Sequence, residues 1–342
     1  MSPLQMGLAA LGCALLLAML AYYLWLATKN RPRKPFTGSV DGRGFVAQEP
    51  TLETDGFEGG DFAIPVPEKK PGLDALIDVI APIGLEAQVS GDAVLAALPP
   101  TRRVGSKPFA VEGLNATSER WEAPVAGQRY SQLQAGVQLA NRAGALNDIE
   151  FSEFVMKTQS FCDALGGTPD FPEMRHEINR ARELDQFAND HDAQLGFVLR
   201  ARRAAWSPSY IQQMAARLGF VLGSTAGRMV VPASLAGAAP VLSLGFDTQA
   251  ALADDPTLSA LRELTLSLDV AQVNRGENAF ARMREIAAAM ARDMDGVVAD
   301  DNGMPLPSDA MEVIAGELER LYDTLDQHEL SAGSNLARRL FS

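Results

Sequence analysis

The chain has 342 residues, 30 Lys and Arg against 43 Asp and Glu, a formal net charge of −13 and two cysteines. That acidic balance excludes a nucleic-acid partner, which needs a concentrated basic surface to meet phosphates. At roughly 100 to 200 residues per domain the length allows two domains and a linker, and with Cys13 inside an apolar run and Cys162 far away no disulfide framework is available.

In chain order, residues 1–5 precede an apolar run from Met6 to Ala27, twenty-two residues without a charge. As a helix it reaches roughly 33 Å, enough to cross a hydrocarbon core of about 30 Å. Tyr22, Tyr23 and Trp25 form an aromatic belt at its C-terminal end, and Lys29, Arg31, Arg33 and Lys34 follow at once. A cleaved secretory signal needs a basic n-region, a shorter core and a small-residue cleavage site, and all three fit poorly. The run therefore reads as a permanent single-pass anchor over 6–27. The positive-inside rule puts residues 1–5 outside and everything after Lys29 in the cytoplasm, with the basic cluster on anionic lipid headgroups.

Residues 28–72 read as that basic juxtamembrane segment and a flexible, acidic linker rich in Pro and Gly, which cannot bury enough surface to offset its ordering entropy. Regular patterning begins at Leu73, where LDALIDVIAPI reads as a strand. Its parity sends Ile77, Val79 and Ala81 inward and Leu76, Asp78 and Ile80 outward. Ser90 caps a short helix carrying Val94, and strands follow at KPFAVEGL and RYSQLQAGVQLA. Helices are predicted from Phe151 to Leu165, ending at Gly166, and from Pro172 to about Asn189.

The same order then returns. DAQLGFVLRA is a strand with Leu195, Phe197, Leu199 and Ala201 on one side. Ser207 and Pro208 open a helix, RMVVPA and PVLSLGF are short strands, and RELTLSLDV alternates cleanly. A helix carrying Phe280, Met283, Ala287, Met290 and Met294 closes before Gly296, and another carries Ile314, Leu318, Leu321 and Leu325. Phe151 stands sixteen residues before Gly167 as Phe280 does before Gly296. Matched element order with a unit above a hundred residues points to tandem domains, at 73–190 and 191–330, before a tail at 331–342.

The pieces GDAVLAAL, PVLSLGF, LTLSLDV, FARMREIAAAMARDMDGVVADDN and IAGELERLYDTL, with the anchor, linker and α+β layout, resemble the C-terminal FtsZ-binding domain family of the bacterial division protein ZipA. The resemblance is closest over 192–330 and fainter over 74–190, and a second unit departs from the family plan. It implies, for each unit, an antiparallel sheet of three to six strands with helices on one face. The open face would receive the C-terminal tail peptide of the tubulin-like protein FtsZ. Carried over by strand parity, that face comprises Gln194, Gly196, Val198, Arg200, Thr265, Ser267 and Asp269 in the second unit, a mostly polar set. In the first unit it comprises Leu76, Asp78 and Ile80.

No nucleotide-binding, hydrolase or zinc-protease motif is present, so neither an enzyme nor a cofactor is expected. His176, His191 and His328 stand far apart without Cys partners, so no metal site is expected from their spacing. Asp300 and Asp301 before Asn-Gly read as a strand-ending turn, and the methionines at 283, 290 and 294 as core. The function implied is a non-enzymatic inner-membrane adaptor tethering FtsZ polymers during septum assembly. The alternatives are a scaffold for another inner-membrane complex and a membrane-bound envelope enzyme.

Overall fold

In a computed structural model of the chain, residues 72–342 are described apart from 254, 256–258, 301 and the side chain of Ser308. The expected span at 6–27, its aromatic belt, the basic cluster and the linker up to residue 71 lie outside the described residues. Among the described residues no helix is long and apolar enough to cross a membrane. These residues divide into an N-terminal unit, 72–190 with Arg339–Ser342, and a C-terminal unit, His191–Arg338. Both are α+β with antiparallel sheets.

The N-terminal unit runs β1 (Asp78–Leu85), β2 (Val89–Ser90), α1 (Gly91–Ala97), β3 (Arg103–Val104), β4 (Lys107–Asn115), β5 (Trp121–Glu122), β6 (Arg129–Gln138), β7 (Ala140–Asn141), β8 (Gly144–Ala145), α2 (Asp148–Leu165), β9 (Gly167–Pro169) and α3 (Met174–His191). Its sheet has seven strands in the order β3-β4-β6-β1-β9, with β2 on β6 and β5 on β4, one strand more than expected. Ser90 Oγ accepts the Ala93 N–H to start α1. Asn147 and Glu150 form a reciprocal capping box on α2, which ends on Gly166 at φ 65°. Val79, Ala81 and Ile83 face Leu133, Ala135 and Val137 in one core with Phe151, Phe154, Phe161 and Cys162 of α2. The Phe154 ring meets Phe151 and Phe171 edge-on at 5.9 and 6.0 Å.

The C-terminal unit runs β10 (Gln194–Ala201), α4 (Pro208–Arg217), β11 (Val221–Leu222), β12 (Arg228–Val231), β13 (Leu242–Gly245), α5 (Thr248–Ala251), β14 (Glu263–Asp269), α6 (Ala279–Met294), β15 (Gly296–Ala299) and α7 (Ser308–Gln327), and α8 (Asn335–Leu340) follows. Its six strands lie in the order β11-β12-β13-β14-β10-β15. Phe197, Leu199, Leu264, Leu266 and Leu268 are buried, and so are Met283, Met290 and Met294 on α6. Phe197 meets Phe280 of α6 edge-on at 6.2 Å, which fixes the inner parity of β10 under that helix. Trp206, fully buried, donates its indole N–H to the Met294 carbonyl at 2.8 Å and so satisfies a helix-end acceptor. Gly296 is a close-approach glycine: a Cβ there would come within 3.2 Å of both the Arg200 carbonyl and the Trp206 ring.

Two expected boundaries moved. Leu73 to Ile77 is not strand; Asp74 turns the chain by accepting the Leu76 N–H on its carboxylate and the Ile77 and Asp78 N–H groups on its carbonyl, so β1 starts at Asp78. The expected tail at 331–342 contains α8, and Leu340 and Phe341 are fully buried.

Candidate peptide-binding faces

In the C-terminal unit the residues opposite the α6 side of the sheet form a shallow floor of small side chains. Register places Gly196 beside Ser267 and Ser267 beside Ser243, then Val198 beside Thr265 and Thr265 beside Gly245. Thr265 is exposed, while Val198, Ser267 and Asp269 are half-buried and Gln194 is exposed at the end of β10. A depression of about 830 Å³ includes Gly245, Glu263 and Thr265 in its lining, and one of about 500 Å³ includes Gly196, Ser243 and Ser267. Arg228 on β12 borders both. The strand parity read from the sequence thus brings Gly196, Val198, Thr265 and Ser267 onto one surface.

At the rim, Arg200 Nε meets Glu263 Oε1 at 3.0 Å, an exposed pair that adds little stability. Gly303 packs closely against this guanidinium, since a Cβ there would lie 1.9 Å from Arg200 Nη1. Asp300 Oδ1 accepts the Asn302 and Met304 N–H groups at 3.0 and 2.7 Å, which is the work of a turn-forming acid. Among the described residues no group of His, Cys, Asp and Glu is arranged to hold a metal ion.

The N-terminal unit places its three candidates differently. Leu76 stands in the turn before β1 and is 36% exposed, and Ile80 is half-buried on the expected outer parity. Asp78, expected to point into the open, is 1% exposed because Arg339 closes over it, with Nη2 to Oδ1 at 2.5 Å and Nη1 to Oδ2 at 2.9 Å. Burial pushes the Asp78 carboxyl above its ordinary value, outweighing the Arg339 guanidinium and the Asp74 N–H that hold it down. Two residues of this face escaped the sequence reading: Glu112, which joins Gln134 at 2.8 Å, and Arg339. The outer-parity Glu112 and Gln134 were visible as alternating polars, but nothing in the sequence pairs residue 78 with residue 339.

The family model of the ZipA C-terminal FtsZ-binding domain matches residues 254–316, from before β14 through α6 and β15 into α7. That stretch is similar to the ZipA C-terminal domain family over those residues. The ZipA-type stretch supplies Thr265 and Ser267 to the open floor and the helix that covers the other side. It is well under half of the chain and leaves β10 to β13 and the whole N-terminal unit outside the match. None of the curated proteins compared with the chain matches it.

Proposed function

We propose that this chain is a non-enzymatic inner-membrane adaptor that binds the FtsZ C-terminal tail on the helix-free face of its C-terminal unit. The observation that carries the reading is the ZipA-type match at 254–316 on a sheet whose other face is accessible at Val198, Thr265 and Ser267. An extended peptide laid over small residues gains backbone and side-chain contacts without displacing a packed core. The uncharged run at 6–27, its aromatic belt and the basic cluster from Lys29 to Lys34 support a membrane tether with cytoplasmic domains. Each contact can be weak, because a polymer offering many tails to membrane-confined receptors raises the effective concentration.

Duplication of one ancestral domain accounts for the two units. The orders β4-β6-β1-β9 and β13-β14-β10-β15 run in parallel, and the glycine after each long helix, Gly167 or Gly296, pairs with the end of the first strand, Leu85 or Ala201. The test of the binding reading is titration of a synthetic FtsZ tail peptide into the full chain. Val198→Asp and Thr265→Asp, both at the face, should each reduce affinity at least about tenfold with far-UV circular dichroism unchanged, since a carboxylate desolvated under a peptide is costly. Retained affinity in both variants would remove this face from the function.

A further inference from the structure

The corresponding face of the N-terminal sheet is already covered. Gly136 lies in the middle of it, with Ile80 of β1 on one side and Ala110 of β4 on the other. Leu73 sits on that glycine: it is 7% exposed, and a Cβ built on Gly136 would lie 2.4 Å from its Cδ2 and 2.9 Å from its Cδ1. Glu112, 2% exposed, turns Oε1 to the Gly72 and Leu73 N–H groups, the second at 3.1 Å, while Oε2 accepts Gln134 Nε2. Beyond Leu73 the Asp74 N–H donates to Asp78 Oδ2 at 2.8 Å, and Arg339 donates to the Gly72 carbonyl.

Over Gly72 to Asp74, ahead of the turn, these are contacts that a bound peptide makes. Two successive backbone N–H groups meet a buried carboxylate that needs them, because an unpartnered charge at that depth is heavily disfavoured. One aliphatic side chain fills a floor that only glycine leaves open. Counting from the Leu85–Gly167 and Ala201–Gly296 pairs, the C-terminal sheet has Ser267 in the place of Gly136 and Gly245 in the place of Glu112. There a Cβ on Gly245 would meet nothing within 4 Å. One face is filled and its counterpart is empty.

We propose that the helix-free face of the N-terminal unit is a peptide-accepting surface whose occupant is this chain's own Gly72–Asp74 segment, docked in cis and denying that face to FtsZ. Only the last clause rests on the FtsZ reading. Because the segment is joined to β1, its effective concentration exceeds that of any peptide arriving in trans.

The experiment uses the full chain, a Leu73→Asp variant, the milder Leu73→Ala and the double variant Leu73→Asp with Glu112→Gln. Two probes are added, an acetylated Gly-Leu-Asp-Ala-Leu-Ile peptide and the synthetic FtsZ tail. In the parent the Leu73 amide should exchange slowly with deuterium and the hexapeptide should not bind. In Leu73→Asp the amide at position 73 should lose its protection and the hexapeptide should bind at one site, at least about tenfold more weakly once Glu112→Gln is added. FtsZ-tail stoichiometry should rise from one to two. An unprotected Leu73 amide in the parent overturns the proposal, as does a folded Leu73→Asp chain that ignores the hexapeptide. Unfolding of the unit by Leu73→Ala overturns it too, by making Leu73 core. A second site that fails to appear while the hexapeptide binds removes the exclusion clause alone. Absence of FtsZ-tail binding in every chain counts against the proposed function and leaves the hexapeptide and exchange results to decide the docking.

Discussion

Arg339 donates to both carboxylate oxygens of Asp78, at 2.5 and 2.9 Å, tying the last residues of the chain to the first strand of the N-terminal unit. The pair is asymmetric, since the Asp78 side chain has no exposure and that of Arg339 has 21%. Removing the arginine therefore leaves an uncompensated buried charge.

Arg339→Met should destabilise the N-terminal unit at neutral pH by about 3 kcal/mol, the lower end for a broken buried pair because the guanidinium is partly wet. The sign with pH follows from the raised Asp78 carboxyl. A folded-state value above the unfolded one, about 3.9, means that the penalty is fully present above the folded value and vanishes below the unfolded one. The cost of Arg339→Met should thus shrink as pH falls toward 4. Urea midpoints of parent and variant at pH 7 and pH 4.5 check it, and a cost that grows on acidification would show Asp78 to be better ionised than protonated in the fold.

Topology gives the second prediction. A reporter fused after Ser342 should be active only in the cytoplasm, because Lys29, Arg31, Arg33 and Lys34 resist translocation. Changing all four to Glu should mix the orientations and weaken attraction to anionic vesicles, at about 1 kcal/mol for each base lost. Paired phosphatase and fluorescent fusions report the orientation, and a periplasmic signal from the parent would sink the tether.

The inner faces of both sheets were legible because strict alternation leaves one assignment: Val79, Ala81 and Ile83, or Leu264, Leu266 and Leu268, have only one side to bury. The long helices were equally plain, with Gly166 marking the end of α2, although its Asn147 cap starts the helix at Asp148 and not at the expected Phe151. The second face of the N-terminal sheet was not legible. LDALIDVI continues the apolar pattern of β1, so the turn at Asp74 hides inside it, and the turn is what folds Leu73 back over Gly136. Gln132, Gln134 and Gln138 alternate with apolar residues in the pattern of a wet surface, yet Gln138 is buried and donates to the Ala140 and Arg339 carbonyls. Polar residues that satisfy one another across a hundred or more positions carry no periodic signal. The twelve residues after 330 failed for a simpler reason: a six-residue helix is too short to show a period, and only the burial of Leu340 and Phe341 reveals it.

Lys107 carries the third prediction. It is fully buried, and Nζ donates to Ser106 Oγ at 2.8 Å and Asn141 Oδ1 at 2.9 Å. Burial pushes its ammonium below the ordinary value, against the pull of Glu150. The penalty for the charged form is then fully present below the folded value and disappears above the unfolded one, so stability relative to Lys107→Met should rise with pH on the alkaline side. At pH 7 Lys107→Met should lie within about 1 kcal/mol of the parent, because the charge and its desolvation leave together. Asn141→Ala, which strips the ammonium of an acceptor, should cost about 1.5–3 kcal/mol. Urea unfolding at pH 7 and 9.5 separates the two, and a Lys107→Met that costs more than Asn141→Ala would mean the ammonium itself stabilises the fold.

Gly245 offers a separation of fold from binding. It lies in β13 opposite Thr265, and a Cβ there would enter open space, so a side chain meets no steric objection. A residue with a Cβ in a strand also gains over glycine by losing less backbone freedom on folding, about 0.5–1 kcal/mol on the scale used for Gly against Ala. Gly245→Gln should therefore melt at the parent temperature or a few degrees above it. The same side chain stands over the depression shared by Gly245 and Thr265 and takes the volume a peptide backbone would occupy. FtsZ-tail affinity should fall at least about tenfold, equivalent to some 1.4 kcal/mol. Calorimetric titration beside a thermal melt reads both quantities on one sample. A stable Gly245→Gln chain that binds the tail as tightly as the parent would place the peptide off β13, along β10 and the Arg200 rim.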